Sequence, residues 1–155
     1  MLKIAVAKGR VANKVSELLL DTSDYRDIID LSSRRLVFVD KNKEITFFLV
    51  KPSDVPVYVE SGAADIGIVG KDVLMETGNS SYEIMDLKTC SCRMVVAGPS
   101  ENRDVRPIVR RIATKYPKIA EEYFKKKSEP VEIIKLDGSI ELAPIVGLSD
   151  AIVDI

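Results

Sequence analysis

Histidine is absent from the 155 residues of this chain. Its absence removes the side chain that titrates near neutral pH, and with it any Ser-His or Cys-His catalytic pair. Cysteine occurs only at Cys90 and Cys92. Without histidine or a third cysteine they cannot complete a zinc set, and so close in sequence they are poor disulfide partners. Buried, inert thiols are the expectation. No apolar run approaches the ~20 residues that cross a bilayer. The apolar part of MLKIAVAKGR is too short for a secretory signal and reads as a first strand, so the cytoplasm is the expected location. A charge surplus is missing too: 23 Lys and Arg oppose 24 Asp and Glu, a net charge of -1. No overall field draws the chain to nucleic acid or membrane, and neither is expected as a partner. Any anion site must come from local placement of Lys and Arg. Chemistry must rest on placed charge, carboxylates or a metal ion.

The composition, 46% hydrophobic and 30% charged, is ordinary for a globular protein. The length fits one domain or two small lobes. Strands and helices alternate. KIAVA reads as a strand, and KGR turns it into a helix with Val11, Val15, Leu18 and Leu19 at helical spacing. After the polar stretch DTSDYRD, RRLVFVD and EITFFLV flank KNK as a hairpin. KPSDVPVYVES starts a helix capped by Ser53 or Asp54, with Pro56 in its first turn and Gly62 at its end. ADIGIVG is a strand, KDVLMETG a helix closed by Gly78, and EIMDL a strand. Beyond Thr89, CRMVVAG reads as a long strand, PSENRDVRPI as a loop or short helix, and RRIATKY as a strand. PKIAEEYFKKK is a helix with Tyr123, like Tyr58 before it, facing the core. VEIIKL is a strand, DGSIELAPIVG a helix, and DAIVDI the last strand. The alternation predicts an α/β protein with a mostly parallel sheet in each half, divided as 1–90 and 91–155.

Two segments echo each other: GAADIGIVG (Gly62 to Gly70) and GLSDAIVDI (Gly147 to Ile155). Each runs from a helix end through Gly and Asp into a short apolar strand. The repeat suggests two similar lobes with a ligand cleft between them. In open α/β sheets, ligands gather beyond the carboxyl ends of the strands. Those tips carry Lys8, Gly9 and Arg10; Lys51, Ser53 and Asp54; Gly70 and Lys71; Gly98 and Ser100; Thr114 and Lys115; Asp137, Gly138 and Ser139; and Asp154. Glycine lets backbone approach a ligand, a helix start offers free N–H groups, and Lys or Arg supplies charge for phosphate. Any one tip is ordinary turn chemistry; as a set they favour a phosphorylated substrate. Lys125 to Lys127 close a helix and read as a solvated face. Arg35, in SRR, reads equally as an edge charge or a ligand clamp.

Five ordered segments, LKIAVAKGR, KPSDVPVYVESGAADIGIVGKDVL, CRMVVAGP, RIATKYPKIAEEYF and KLDGSIELAPIVGLSDAIVDI, resemble the signature segments of ATP phosphoribosyltransferases. The resemblance runs along essentially the whole chain. It implies a two-lobed fold like the type II periplasmic binding proteins. It also implies transfer of the phosphoribosyl group of phosphoribosyl pyrophosphate (PRPP) to N1 of ATP, with Mg²⁺ as cofactor and pyrophosphate released, the first step of histidine biosynthesis. It assigns Lys8, Arg10, Lys51 and Asp154 to catalysis, and Gly9, Arg35, Gly70, Lys71, Arg93, Gly138, Ser139 and Glu141 to substrate binding. Asp154 would meet the ribose hydroxyls or the metal. In the family a loop that wraps the 5-phosphate follows the position of Asp154, so the resemblance implies that the second lobe and its return strands are incomplete in this sequence. The short VESGAAD segment is similar to the family's short form, which implies a homo-oligomer and a regulatory subunit resembling histidyl-tRNA synthetase. The alternative is a non-catalytic bilobal domain that binds or senses a small molecule.

Overall fold

Strand β1 (Leu2–Ala7) is the axis of the first half of the chain. Ala5, Val6 and Ala7 have no exposed surface, as befits a strand covered on both faces. The computed structural model describes residues 1–21, 28–42, 44–78, 81–100 and 107–155. These divide into two compact units, Met1–Ser91 and Cys92–Ile155. Parts of three sequence readings lie outside the described residues: 22–27 of DTSDYRD, Lys43 of the KNK loop, and 101–106 of the loop after Gly98.

The first unit continues with α1 (Arg10–Leu20), β2 (Val37–Asp40), β3 (Ile45–Val50), a 3₁₀ turn (Pro52–Asp54), α2 (Val55–Glu60), β4 (Ile66–Ile68) and α3 (Lys71–Thr77). Its sheet has the order β2-β3-β1-β4. β3 and β4 flank β1 in parallel, Ala7 beside Val50 and Ile4 beside Ile66, while β2 runs antiparallel to β3. The period of a strand sends alternate side chains to opposite layers. Ile4 and Val6 pack with Ala12 and Val15 of α1. Ala5 and Ala7 pack with Val55 of α2 and with Ala64.

The second unit has a similar plan, with its antiparallel edge strand on the other flank of the sheet. It contains β5 (Val95–Ala97), β6 (Arg110–Thr114), α4 (Pro117–Lys126), β7 (Val131–Lys135), α5 (Leu142–Ile145) and β8 (Ala151–Asp154). The order is β5-β8-β6-β7, with β7 and β8 parallel to β6 and β5 antiparallel to β8. Ile112 of β6 packs with Ala120 and Phe124 of α4, and Ala113 packs with Ile140 and Ala143 on the α5 side.

The sequence echo has a physical counterpart. Gly62 and Gly147, which follow α2 and α5, both have φ of 73°. Next, Asp65 Oδ2 accepts the Lys3 N–H at 2.8 Å, and the Asp65 N–H donates to the Lys3 carbonyl at 2.9 Å. Asp150 does the same at the other axis. Its Oδ2 accepts the Arg111 N–H at 2.8 Å, and its own N–H donates to the Arg111 carbonyl at 2.8 Å. In the second unit the Arg111 side chain joins in, with Nη2 donating to Asp150 Oδ1 at 3.0 Å and Nη1 to the Gly147 carbonyl at 3.1 Å. This guanidinium holds the Asp150 carboxyl below the usual carboxylate range, chiefly through its hydrogen bonds.

Several local expectations are corrected. EIMDL is not a strand: 81–89 has no regular structure, β4 is the last strand of its sheet among the described residues, and Tyr82, Ile84 and Met85 are exposed. Apolar content alone does not make a strand without a neighbour to complete its hydrogen bonds. CRMVVAG keeps only three strand residues, Val95–Ala97. DGSIELAPIVG shrinks to the four-residue α5, because Ser139 takes a positive φ of 50° and the Leu142 and Ala143 N–H groups bond three residues back. Neither Ser53 nor Asp54 caps α2 with its side chain. The 3₁₀ turn supplies a backbone bond from the Asp54 N–H to the Lys51 carbonyl at 2.9 Å, and the Ser53 hydroxyl donates to Asp54 instead. Leu18 is exposed, and the buried stripe of α1 runs through Ala12 and Val15. Tyr58 and Tyr123 face outward: Tyr58 leans on Phe48 at 5.3 Å, and Tyr123 lies under the Lys127 ammonium at 4.7 Å. Cys90 and Cys92 are exposed, because they lie in the irregular approach to β5, where no layer covers them.

Two outcomes follow from this packing. A Cβ on Gly67 of β4 would sit 2.8 Å from Val55 Cγ1 and 2.9 Å from Val59 Cγ2. Gly67→Ala is therefore expected to destabilise the first unit by about 1–3 kcal/mol, read from urea denaturation, with Val55→Ala in the same chain recovering part of the loss. A carboxyl whose pKa is lowered by folding stabilises above its unfolded value of ~3.9, and that contribution is lost as the pH falls through its folded value. Asp150→Asn keeps an oxygen for the Arg111 N–H but removes the charge. The stability gap between wild type and D150N is expected to be full at pH 7 and to close at acid pH below ~4; a gap that persists in acid contradicts the assignment.

Candidate functional site

Parallel strands deliver their carboxyl ends to one edge of a sheet, and in each unit the sequence-predicted site residues fall on that edge. In the first unit Lys8 and Lys51 follow neighbouring strands at the same level, since Ala7 pairs with Val50. The Lys8 N–H donates to the Val50 carbonyl at 2.9 Å, tying the two tips together. Gly9 then turns the chain into α1 with φ 87° and ψ -138°. A Cβ there would meet nothing within 4 Å, so the requirement for glycine is conformational and not spatial. The Asn13 N–H bonds to the Gly9 carbonyl at 3.1 Å, and Arg10 is the first helical residue.

Arg35 reaches the same edge by a different route. β2 runs against β3, and the Leu49 N–H donates to the Leu36 carbonyl at 2.8 Å. The residue that enters β2 therefore lies beside the residues that leave β3. Gly70 precedes α3, and a Cβ on it would stand 2.1 Å from Asp72 Oδ1. Lys71 is engaged in an ion pair with Glu83. Lys8, Arg10 and Lys51 make no ion pair with a carboxylate among the described residues, and all three are exposed. The first edge thus carries an excess of cations over its two carboxylates, Asp54 and Asp72.

In the second unit the tips of β6 and β7 are joined by the Leu136 N–H, which donates to the Thr114 carbonyl at 3.0 Å. Asp137, Gly138, Ser139 and Glu141 follow β7 and are exposed; Lys115 follows β6; the partly buried Asp154 ends β8. Val95 pairs with Asp154, so Arg93, just ahead of β5, lies at the same edge. The antiparallel course of β5 also corrects one expectation. Gly98 and Ser100 leave β5 at the opposite edge, where a Cβ on Gly98 would lie 3.1 Å from the Asp150 carbonyl. The second edge mixes cations with carboxylates.

One residue of this edge, Thr114, carries more than its place in the tip series indicated. Its side chain is fully buried and doubly hydrogen-bonded. The available signal was a hydroxyl at the end of the apolar run RIAT. Among the described residues no cluster of three or more Cys, Asp or Glu is assembled to hold a metal ion. A magnesium ion bound through one or two carboxylates and substrate phosphates needs no such cluster. Asp154 is the partly buried carboxylate at this edge, with Asp137 and Glu141 beside the neighbouring tip. No helix among the described residues is long and apolar enough to cross a membrane.

Residues 51–155 match the family model described as HisG: ATP phosphoribosyltransferase. The whole chain is 52% identical over 155 residues to an ATP phosphoribosyltransferase of Caldanaerobacter subterraneus subsp. tengcongensis, covering 74% of that protein. It is 53% identical over 154 residues to one of Thermoanaerobacter sp. (strain X514), covering 99% of this chain and 72% of that protein. Among solved structures, the ATP phosphoribosyl transferase (HisG:HisZ) complex from Thermotoga maritima superposes with a TM-score of 0.81 at 42% identity, covering 99% of this chain and 73% of that one.

Proposed function

This chain belongs to the ATP phosphoribosyltransferase family, and from that premise we propose that its strand tips bind ATP and PRPP for phosphoribosyl transfer, the first step of histidine biosynthesis. Adenine N1 forms a bond to the ribose C1 as the bond from C1 to the pyrophosphate oxygen breaks, and pyrophosphate departs with the electron pair. The observation that carries the reading is the group of exposed cations at the edge of the first unit, Lys8, Arg10 and Lys51, without an ion-pair partner among the described residues, with Arg35 entering beside them. Two polyphosphates need their charge neutralised and their reacting atoms aligned, and neither task calls for a nucleophilic side chain or for histidine. Gly9 and Gly70 let backbone approach the ligand at this edge. Lys71 already has Glu83 as its partner and ranks below the other four cations.

On the second edge Arg93 contributes charge, while Gly138, Ser139 and Glu141 line the tip after β7. Asp154 takes the ribose hydroxyls or Mg²⁺. Bound Mg²⁺ would neutralise charge on the pyrophosphate as it leaves. Its donor set fits a partly buried carboxylate completed by substrate oxygens. The similar Thermotoga maritima chain was solved with a second subunit, HisZ. That supports the reading that this chain also works with a regulatory subunit, for which the family resemblance suggests a protein like histidyl-tRNA synthetase; a cytoplasmic homo-oligomer is part of the same proposal and rests on the resemblance alone. A bilobal sensor without catalysis is not favoured, given the family.

The test is pyrophosphate release with ATP, PRPP and Mg²⁺. Lys8→Ala, Lys51→Ala and Arg93→Ala are each expected to lower kcat/KM by about tenfold to a hundredfold. Their melting temperatures should stay near wild type, since these side chains are exposed. Lys126→Ala, at the far end of α4, serves as the control that leaves activity unchanged. Wild-type rates in all three tip variants would sink the reading.

A further inference from the structure

One hydroxyl at the tip of β6 has no counterpart in the first unit. Thr114 Oγ1 donates to the Val153 carbonyl at 2.7 Å and accepts the Tyr116 N–H at 2.9 Å. The Val153 carbonyl belongs to the peptide group that carries Asp154. Tyr116 is the residue that leads into α4. A single buried side chain therefore ties the peptide ahead of Asp154 to the turn beyond β6. A buried hydroxyl is costly unless it is hydrogen-bonded, and here it both donates and accepts.

The repeat supplies an internal control. With Lys3 matched to Arg111 at the two aspartate clamps, Val6 falls opposite Thr114. Val6 is equally buried, and it lies in register with Ile68 as Thr114 does with Val153. Valine and threonine have nearly the same shape. The first unit builds the same strand pairing with a hydrocarbon, so the fold itself does not demand the hydroxyl. The register between β6 and β8 ends at Thr114 and Val153, and Asp154 pairs only with Val95 of the three-residue β5.

We propose that Thr114 is a positioning residue for phosphoribosyl transfer: its hydroxyl fixes the peptide of Asp154, and so the direction in which that carboxylate is presented to the phosphoribosyl donor. The inference rests on the role given to Asp154 above. Calorimetric titration with PRPP and Mg²⁺, and separately with ATP, tests it on the full chain. Thr114→Val is expected to weaken PRPP binding about tenfold while ATP binding stays within about twofold, and Thr114→Ser to stay within about threefold of wild type. Because Thr114 acts through Asp154, adding T114V to Asp154→Asn is expected to weaken binding no further. In T114V the Asp154 and Tyr116 amides should exchange with solvent faster while the Ala113 amide stays protected; Thr114→Ala gives the same readout if valine disturbs the packing. Unchanged exchange at both amides overturns the proposal whatever the ligands do. So does a T114V effect that persists in the D154N background, or that falls equally on ATP. Intact PRPP binding by D154N alone overturns the assignment of Asp154 itself, so the two failures are told apart.

Discussion

A carboxylate that grips the backbone at the foot of each central strand sets the geometry on which everything else rests. Asp65 holds Lys3, and Asp150 holds Arg111, each by a side-chain bond to the N–H and a backbone bond to the carbonyl. A parallel pair has no tight turn to fix its register. Where a hairpin is pinned by its loop, these strands are pinned at their feet. Once the foot is fixed, the level at which β4 ends beside β1, and β8 beside β6, is fixed too, and Lys8 and Asp154 emerge where they do because of a bond at the opposite end of the strand.

The two clamps differ in one respect. Asp65 binds only main chain in the bonds described, whereas Asp150 also takes two N–H bonds from the Arg111 guanidinium. The edges differ in charge balance as well, with cations in excess in the first unit and carboxylates more prominent in the second. One plan, used twice, thus supplies two chemical surfaces. The division suits a reaction between two polyphosphates, in which charge must be neutralised at one place and hydroxyls or a metal ion engaged at another.

Much of this was legible in the sequence, and the remainder failed for identifiable reasons. β1, β3, β6, β7 and β8 announced themselves as short apolar runs bounded by Gly, Pro or charge. The resemblance between GAADIGIVG and GLSDAIVDI marked the repeat before any contact was known. What periodicity cannot report is strand direction, so Gly98 and Ser100 were placed at the wrong edge while Arg35 and Arg93 reached the right one through antiparallel strands. Burial misled in a similar way: cysteine and tyrosine are often buried, yet Cys90, Cys92, Tyr58 and Tyr123 are exposed because each lies on a segment or helix face without a covering layer. The importance of Thr114 was hidden because a hydroxyl at a strand end is commonplace until its two partners are seen.

The outer strands carry a consequence for how copies of this chain can meet. Among the described residues β2, β4 and β5 span four, three and three residues, and the five-residue β7 exposes Glu132 and Lys135. A visiting strand would find too few free amide groups along any of these rims to be held, and charge along the longest. Along these rims, continuing a sheet from molecule to molecule is thereby disfavoured.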